Sequence, residues 1–543
     1  MNSFHNKVVY QIYPKSFYDS DGDGLGDLRG VTAKLDYLQA LGVDYLWLTP
    51  FFPSPQRDNG YDVADYRAID PRFGTMEDLD TLIAEAKQRG IGLMLDMVFN
   101  HTSTEHEWFR RALAGEKRYQ DYYLFRAGTP DTLPTNWQSK FGGPAWAWSP
   151  EVGQWYLHLF DVTQADLNWK NPAVRAELAD ILRFWKNKGI AGFRFDVVNL
   201  ISKPDVWQDD TEGDGRRFYT DGPRVHEYLQ ELVREAGIED LVTVGEMSST
   251  SLEHCIRYTA PERRELSMCF NFHHLKVDYK GGDKWALMPP DLHALNTLFA
   301  DWQQGMQQGG GWNAVFWCNH DQPRAVSRFG DESPLCAKML ATAIHMMRGT
   351  PYIFQGEELG MTNAHFTKLD QFRDVESLNY YEILRAQGKT EAEALHILAE
   401  RSRDNGRTPM RWTNAPHAGF TIGTPWLEDH ANEGIYAAAQ INDPDSVWAY
   451  YRRLVALRKE RAVIAEGSIE FLYPDHDAVL AYERVLGDER LLVVCNLTAG
   501  DVTVPLDAAW QGAKILLGNC KDAPELGGET LTLRGFEAVV VEA

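Results

Sequence analysis

A chain of 543 residues with 44% hydrophobic and 24% charged side chains can hold several domains or one large barrel with insertions, which excludes disorder, collagen and coiled coil. Its 54 basic and 78 acidic side chains leave a net charge of −24, which repels phosphate backbones and anionic lipid; neither nucleic acid nor membrane is an expected partner. The first ten residues lack the apolar core of a signal peptide, and no run of about 18 apolar residues occurs anywhere, so the expectation is a cytoplasmic, soluble monomer. Cysteines 255, 269, 318, 336, 495 and 520 show no C-x-x-C spacing and read as reduced structural thiols.

Eight short apolar runs rich in β-branched and aromatic residues recur along the chain, at 8–13, 43–49, 92–99, 192–198, 241–247, 268–272, 314–319 and 351–354. Helical periodicity lies between them: Val31, Leu35, Leu38 and Leu41 precede Gly42, and Met76, Leu79, Leu82 and Ile83 precede Gly90. Continuous apolar strands alternating with amphipathic helices predict an α/β fold, a (β/α)8 TIM barrel, with a doubly wound open sheet as the alternative. Residues 101–171 are too long for a simple connection and carry Trp108, Trp137, Trp146, Trp148, Trp155 and Trp169, so they read as an inserted subdomain B after strand 3. A second irregular stretch, 361–433, follows the eighth run and would also cover the strand C-termini. Beyond 467 helical periodicity stops and strand-like runs take over. The division is therefore a catalytic barrel (1–100 and 172–466), the insertion (101–171) and a C-terminal all-β sandwich domain (467–543).

Barrel enzymes carry their catalytic groups at strand C-termini, and here those positions hold acids and histidines. Asp96, Asn100 and His101 close the third run, Arg194 and Asp196 sit in the fourth, Glu246 ends the fifth, and His320 and Asp321 end the seventh. A charge ending a buried strand is costly without a partner, and its repetition on four strands argues against isolated ion pairs. Two carboxylates flanking a bond suit glycoside hydrolysis, one attacking or activating water and one protonating the leaving oxygen, while a third stabilises positive charge on the sugar. The tryptophans of the insertion would offer flat faces to sugar rings. Separately, Asp19-Ser-Asp21-Gly-Asp23-Gly-Leu25-Gly-Asp27 sets carboxylates at nearly every second residue with intervening glycines, the pattern of an oxygen-ligating Ca²⁺ or Mg²⁺ loop, so Asp19, Asp21, Asp23, Leu25 and Asp27 are candidate ligands. It is not an EF-hand, because Gly30 stands where the bidentate Glu belongs.

Asp96-Met-Val-Phe-Asn-His101, Gly192-Phe-Arg-Phe-Asp196, Val244-Gly-Glu246 and Asn319-His-Asp321 resemble, in order and placement, the four signature regions of the α-amylase family. The resemblance implies Asp196 as nucleophile, Glu246 as general acid/base and Asp321 as transition-state stabiliser, with His101, Arg194 and His320 holding the sugar and the nucleophile. Asp58 and Tyr61, in Asp58-Asn-Gly-Tyr61-Asp62, and Arg407, in Arg407-Thr-Pro-Met410, resemble the oligo-1,6-glucosidase branch, where they close the pocket end; this implies an exo-acting enzyme on short sugars. In that branch the acidic loop is similar to a structural cation site, expected here to hold Ca²⁺ or Mg²⁺ for stability. No organic cofactor is implied.

The signature regions do not separate substrates within the branch. The stretch from Phe270 to Trp285, with Gly245 to His254 and Asp214 to Pro223, resembles the members that hydrolyse trehalose 6-phosphate. An anionic disaccharide approaching a −24 protein needs a local cationic pocket, for which Lys276, Lys284, Arg217 and Lys140 are the candidates. Gln371-Phe-Arg-Asp-Val-Glu376 stands roughly where sucrose isomerases are similar to an Arg-Leu-Asp-Arg-Asp loop, which argues against isomerisation. The expected reaction is retaining hydrolysis of this phosphorylated disaccharide to glucose and glucose 6-phosphate. Oligo-1,6-glucosidase activity is the alternative, and a catalytically silent barrel subunit the non-enzymatic one.

Overall fold

In the computed structural model, which describes residues 4–543, all eight apolar runs become strands of one parallel sheet: β1 (Val9–Ile12), β2 (Tyr45–Leu48), β3 (Gly92–Met97), β4 (Gly192–Phe195), β5 (Val242–Glu246), β6 (Met268–Phe270), β7 (Ala314–Val315) and β8 (Thr350–Phe354). Their lateral order is β6-β5-β4-β3-β2-β1-β8-β7. A parallel bridge between Cys269 and Asn313 joins the two ends, so the sheet closes and the open doubly wound alternative falls away. Register then aims the chemistry. Asp96 and Val244 both lie beside Arg194, so Asp196 and Glu246, each two residues further on, project to the same side one row higher.

The helices begin and end where capping chemistry directs. Met76–Gln88 opens on a full capping box between Thr75 and Asp78, and Pro172–Lys188 opens on Asn171 with Pro172 at its first position and stops at Gly189 in the left-handed region. The periodic stretch 31–41 is two helices, Leu28–Ala33 and Leu35–Leu41, broken at Lys34, whose ammonium lies over the rings of Tyr18 and Trp412. The stretch 361–433 is less irregular than its sequence suggests, since Asp374 caps a helix at Val375–Ala386 and Thr390 caps another at Glu391–Arg401.

The insertion forms a two-stranded ribbon of His101–Ser103 with Gln164–Asp166 and a three-stranded sheet of Phe125–Ala127, Gln154–Leu157 and Trp146–Ser149. Four of its six tryptophans are packing, not sugar platforms: Trp137, Trp146, Trp155 and Trp169 are buried and each indole N–H donates to a protein oxygen, on Gln208, Thr135, Thr129 and Phe99 respectively, while Trp108 and Trp148 are half-buried. A subdomain this small has few other apolar groups with which to build a core. The C-terminal five-stranded antiparallel sheet is buried on both faces by its two-residue alternation. Leu480, Tyr482, Leu491 and Val493 pack on the barrel, while Val479, Ala481, Leu492 and Val494 pack under the ribbon of Val502–Pro505 with Thr530–Leu533. All six cysteines are free thiols, and among the described residues no helix is long and apolar enough to cross a membrane.

Candidate active site

Arg194 is the hub of the barrel mouth. Fully buried on β4, it donates from one terminal nitrogen to Asp96 Oδ1 (2.7 Å) and Asp196 Oδ1 (2.6 Å), and its other terminal nitrogen pairs with Glu246. Asp96 is tied down further by Trp47 Nε1 (3.0 Å) and the Tyr61 hydroxyl (2.8 Å), both donating to Oδ2. Burial pushes the Asp96 carboxyl up to about 7, with Arg194 opposing and Asp196 adding to the rise. Burial disfavours the Arg194 cation, but Asp96 and Asp196 more than restore it. Asp96 lies near the end of β3, a strand position that marked it in the sequence, and its carboxylate accepts three hydrogen bonds, from Arg194, Trp47 and Tyr61.

A second cluster forms where the seventh strand run meets residues 374–407. Asp321 Oδ1 accepts from Arg407 (2.9 Å) and Arg403 (3.2 Å), and Oδ2 lies 3.2 Å from His320 Nε2. Burial alone would raise the Asp321 carboxyl, yet His320, Arg403 and Arg407 together hold it well below the usual carboxylate range. Arg403 also donates to Asp58 Oδ1 (3.0 Å) and Asp374 Oδ1 (2.5 Å), which brings the pocket-end residue Asp58 into contact with the same guanidinium as Asp321. Burial pushes Asp58 up to about 7, against Arg403 and Arg407. Tyr61 stacks on His320 at 5.0 Å and 4° from parallel, and His101 Nε2 lies 3.1 Å from the Tyr61 carbonyl and 3.2 Å from Gln164, which also donates to Asp58 (3.0 Å). Burial lowers both histidines. The structure therefore links Asp58, Tyr61, His101, Arg194, Asp196, Glu246, His320, Asp321 and Arg407 in one connected network through Asp96 and Arg403. Arg403, Asp374 and Gln164 escaped sequence reasoning; the charge-dense run Arg401-Ser-Arg403-Asp404-Asn-Gly-Arg407 was the available signal, but only folding says which of its side chains turn inward.

The four basic candidates divide. Lys284 is bound to Glu376 (2.6 Å), and Arg217 to Asp210 (2.8 Å) and Glu212 (2.7 Å), so their charges are already met. Lys140 and Lys276 are different: among the described residues neither sits in an ion pair, and Lys140 donates only to Ser248 Oγ (3.2 Å), two residues beyond Glu246. Lys276 ends the short helix His273–Lys276 that follows β6. Burial lowers the Lys140 ammonium to about 8, and nearby Arg216 and Lys276 add to the fall; burial and Arg216 lower Lys276 too. Arg216 is itself held by Asp214 at 2.5 Å.

In the acidic loop, carboxylate oxygens of Asp19, Asp21 and Asp27 lie within 4.8 Å of one another. Asp19 accepts from the amides of residues 21, 22 and 24, and Asp27 caps the helix Leu28–Ala33 through Gly30 N–H. Asp23 stands apart from this trio; its carboxyl is raised by burial and then by the charges of Asp21, Asp19 and Asp27. These are hard oxygen donors of the kind a divalent ion takes, although Arg29 already pairs with Asp21 at 3.0 Å.

The α-amylase catalytic domain matches residues 11–467, and the maltogenic amylase C-terminal domain matches residues 469–540. Trehalose-6-phosphate hydrolase of Escherichia coli (strain K12) is 58% identical over 91% of both chains, and the oligo-1,6-glucosidase of Parageobacillus thermoglucosidasius is 45% identical over 98% of this chain and 97% of its own. The crystal structure of a Bacillus licheniformis trehalose-6-phosphate hydrolase variant superposes with a TM-score of 0.96 at 52% identity, covering all of both chains.

Proposed function

The chain belongs to the α-amylase family of glycoside hydrolases, and from that premise we propose that it hydrolyses trehalose 6-phosphate to glucose and glucose 6-phosphate with retention of configuration. Asp196 attacks the anomeric carbon of the unphosphorylated glucose while Glu246 protonates the departing glycosidic oxygen, releasing glucose 6-phosphate. Glu246 then takes a proton from water, which displaces the glucosyl group from Asp196. Arg194 occupies Asp196 Oδ1 and leaves the attack to Oδ2. One guanidinium spanning both carboxylates supports the close pairing that retention uses over the wider gap that admits a water between acid and base. Asp321 faces the developing positive charge, and Asp58, His101, His320 and Arg407 fix the glucose hydroxyls.

The observation that carries the substrate reading is the pair Lys140 and Lys276, two ammonium groups in no ion pair among the described residues, of which Lys140 donates to Ser248, two residues beyond Glu246, in a chain of net charge −24. Cations left uncompensated on the leaving-group side are suited to a phosphate dianion. The test is glucose release from trehalose 6-phosphate, trehalose and isomaltose side by side: the reading expects the phosphorylated sugar to be turned over with much the highest kcat/KM. Preference for isomaltose would assign the chain to oligo-1,6-glucosidase activity instead.

The acidic loop, by the same reading, holds a structural Ca²⁺ or Mg²⁺ through Asp19, Asp21 and Asp27, and the chain works as a soluble monomer in the cytoplasm on a small phosphorylated disaccharide. No organic cofactor takes part in the proposed steps.

A further inference from the structure

In the helix layer around the barrel, two histidines meet nitrogen to nitrogen. His226 lies in the helix Val225–Ala236 that follows β4, and His254 in the helix Leu252–Thr259 that follows β5. His226 Nε2 and His254 Nδ1 are 3.4 Å apart, with the two rings 4° from parallel. The other ring nitrogen of His226, Nδ1, lies 2.7 Å from Glu265 Oε2. Glu265 is buried, and its second oxygen accepts from Gln230 (3.0 Å) and Arg263 (2.9 Å), which fixes the carboxylate. Tyr258, one turn beyond His254, packs against the His226 ring at 4.5 Å and is held by its hydroxyl, which donates to Asp221 (2.7 Å). Neither histidine has a part in the proposed hydrolysis.

A separation of 3.4 Å is long for a hydrogen bond, whose usual span is about 2.7–3.2 Å. It matches the distance between two nitrogens on one tetrahedral ion, about 3.3–3.4 Å for metal–nitrogen bonds of about 2.0–2.1 Å. The carboxylate behind His226 supports the same reading. By accepting the Nδ1 proton, Glu265 holds the tautomer whose bare Nε2 faces His254 and makes that nitrogen more basic, the arrangement in which metal-ligating histidines stand. His254 needs only to carry its proton on Nε2 to present Nδ1 as the second donor. The His226 side chain is 11% exposed and His254 is half-buried, so water can complete the coordination. Imidazole pairs select borderline ions such as Zn²⁺, Cu²⁺ or Ni²⁺ over Ca²⁺ and Mg²⁺, which take oxygen.

We propose that His226 and His254 form a binding site for a borderline divalent transition metal of the Zn²⁺ type, with Glu265 as the orienting group behind His226. Two protein ligands are half the set of a structural zinc site and supply about half its binding free energy, which gives a Kd on the order of 1–100 µM. The ion ties together two helices whose connection runs through residues 247–251. That loop is already clamped: Ser248 donates its N–H to Asn199 Oδ1 (3.0 Å) and accepts from Asn199 Nδ2 (2.8 Å), and Thr250 donates to Asp221 (2.9 Å), the carboxylate that also holds Tyr258. The site is separate from the acidic loop and does not depend on the substrate reading.

The test is calorimetric titration of the full, tag-free chain with Zn²⁺ near neutral pH in excess Mg²⁺, which occupies oxygen sites, with Co²⁺ as a spectroscopic probe of nitrogen ligation. Zn²⁺ is expected to bind in the micromolar range, and Co²⁺ to develop a visible absorption band at the same site. His226→Gln and His254→Gln should each weaken Zn²⁺ binding by about tenfold or more and remove the Co²⁺ band, and Glu265→Gln should weaken binding by about tenfold while leaving both ligands in place. In zinc-free buffer all three variants should turn over the uncharged p-nitrophenyl α-glucoside as the unsubstituted chain does, which establishes that they are folded. Should His226→Gln or Glu265→Gln fail that check, His254→Gln at its half-buried position decides the matter by itself. Zn²⁺ binding that survives His254→Gln unchanged, or a folded chain that takes up no Zn²⁺ below millimolar concentration, would overturn the proposal.

Discussion

The two sides of the pocket treat charge in opposite ways. On the glucose side, Asp58, Asp321, Asp374 and Glu376 each have a cationic partner within 3.5 Å. On the side proposed for the leaving group, neither Lys140 nor Lys276 sits in an ion pair among the described residues; burial and Arg216 lower both ammonium groups, Asp214 partly offsets this at Lys140, and Arg216 is itself held by Asp214. A compensated network costs little to keep and fixes geometry; an uncompensated pair gains its partner only when an anion binds. The contrast explains how one acidic protein can hold a neutral glucose rigidly and still attract a charged leaving group.

Substitutions that break the chemistry itself should have the largest effects. Asp196→Asn is expected to reduce kcat on every substrate, phosphorylated or not, by on the order of 10⁴-fold, as loss of a covalent nucleophile does; single-turnover glucose release checks it, and retained turnover would remove Asp196 from that role. Next comes the sharpest discriminator between the two sides: Lys276→Ala should lower kcat/KM for trehalose 6-phosphate roughly ten- to hundredfold, the worth of a charge-assisted hydrogen bond, and leave the aryl glucoside nearly unchanged. Equal losses on both substrates would erase the distinction.

The pH dependences of the two sides should have opposite signs. Asp58, titrating near 7, is ionised above that value and protonated below it, so its pairing with Arg403 weakens as pH falls and kcat/KM for the aryl glucoside should decline toward pH 6, an acid limb that Asp58→Asn removes. Lys140, titrating near 8, is cationic below that value and neutral above it, so KM for trehalose 6-phosphate alone should rise between pH 7 and pH 9, and Lys140→Arg should flatten the rise. The smallest effect belongs to neither side. Chelation of divalent cations should lower Tm by roughly 5 °C without changing kcat, and Asp21→Ala should abolish that sensitivity.

Much of the site was legible along the chain because barrel topology converts sequence position into spatial position. A polar residue ending a buried parallel strand has one place to go, so Asp196, Glu246, His320 and Asp321 could be named before any coordinates. The glucose-side network was half legible: Asp58 and Arg407 stood in motifs, while Arg403, Asp374 and Gln164 sit in the insertion and the 361–433 stretch, where no periodicity says which side chain turns inward. The tryptophans of the insertion misled for a related reason, since an aromatic in a loop over a pocket and an aromatic in a small core look alike in sequence.

What the sequence determined by itself was the architecture and the identity of the strand-end carboxylates, because hydrophobic period and strand order are local properties that closure of the barrel merely assembles. Which cations are free was decided only by tertiary structure. Lys140, Lys276, Lys284 and Arg217 are equivalent as letters; they differ because folding brings Glu376 to one and Asp210 and Glu212 to another from distant or unpatterned positions, and leaves two in no ion pair among the described residues. Ion pairing depends on distances of a few ångströms between segments far apart in the chain, a quantity that no residue's own neighbours encode.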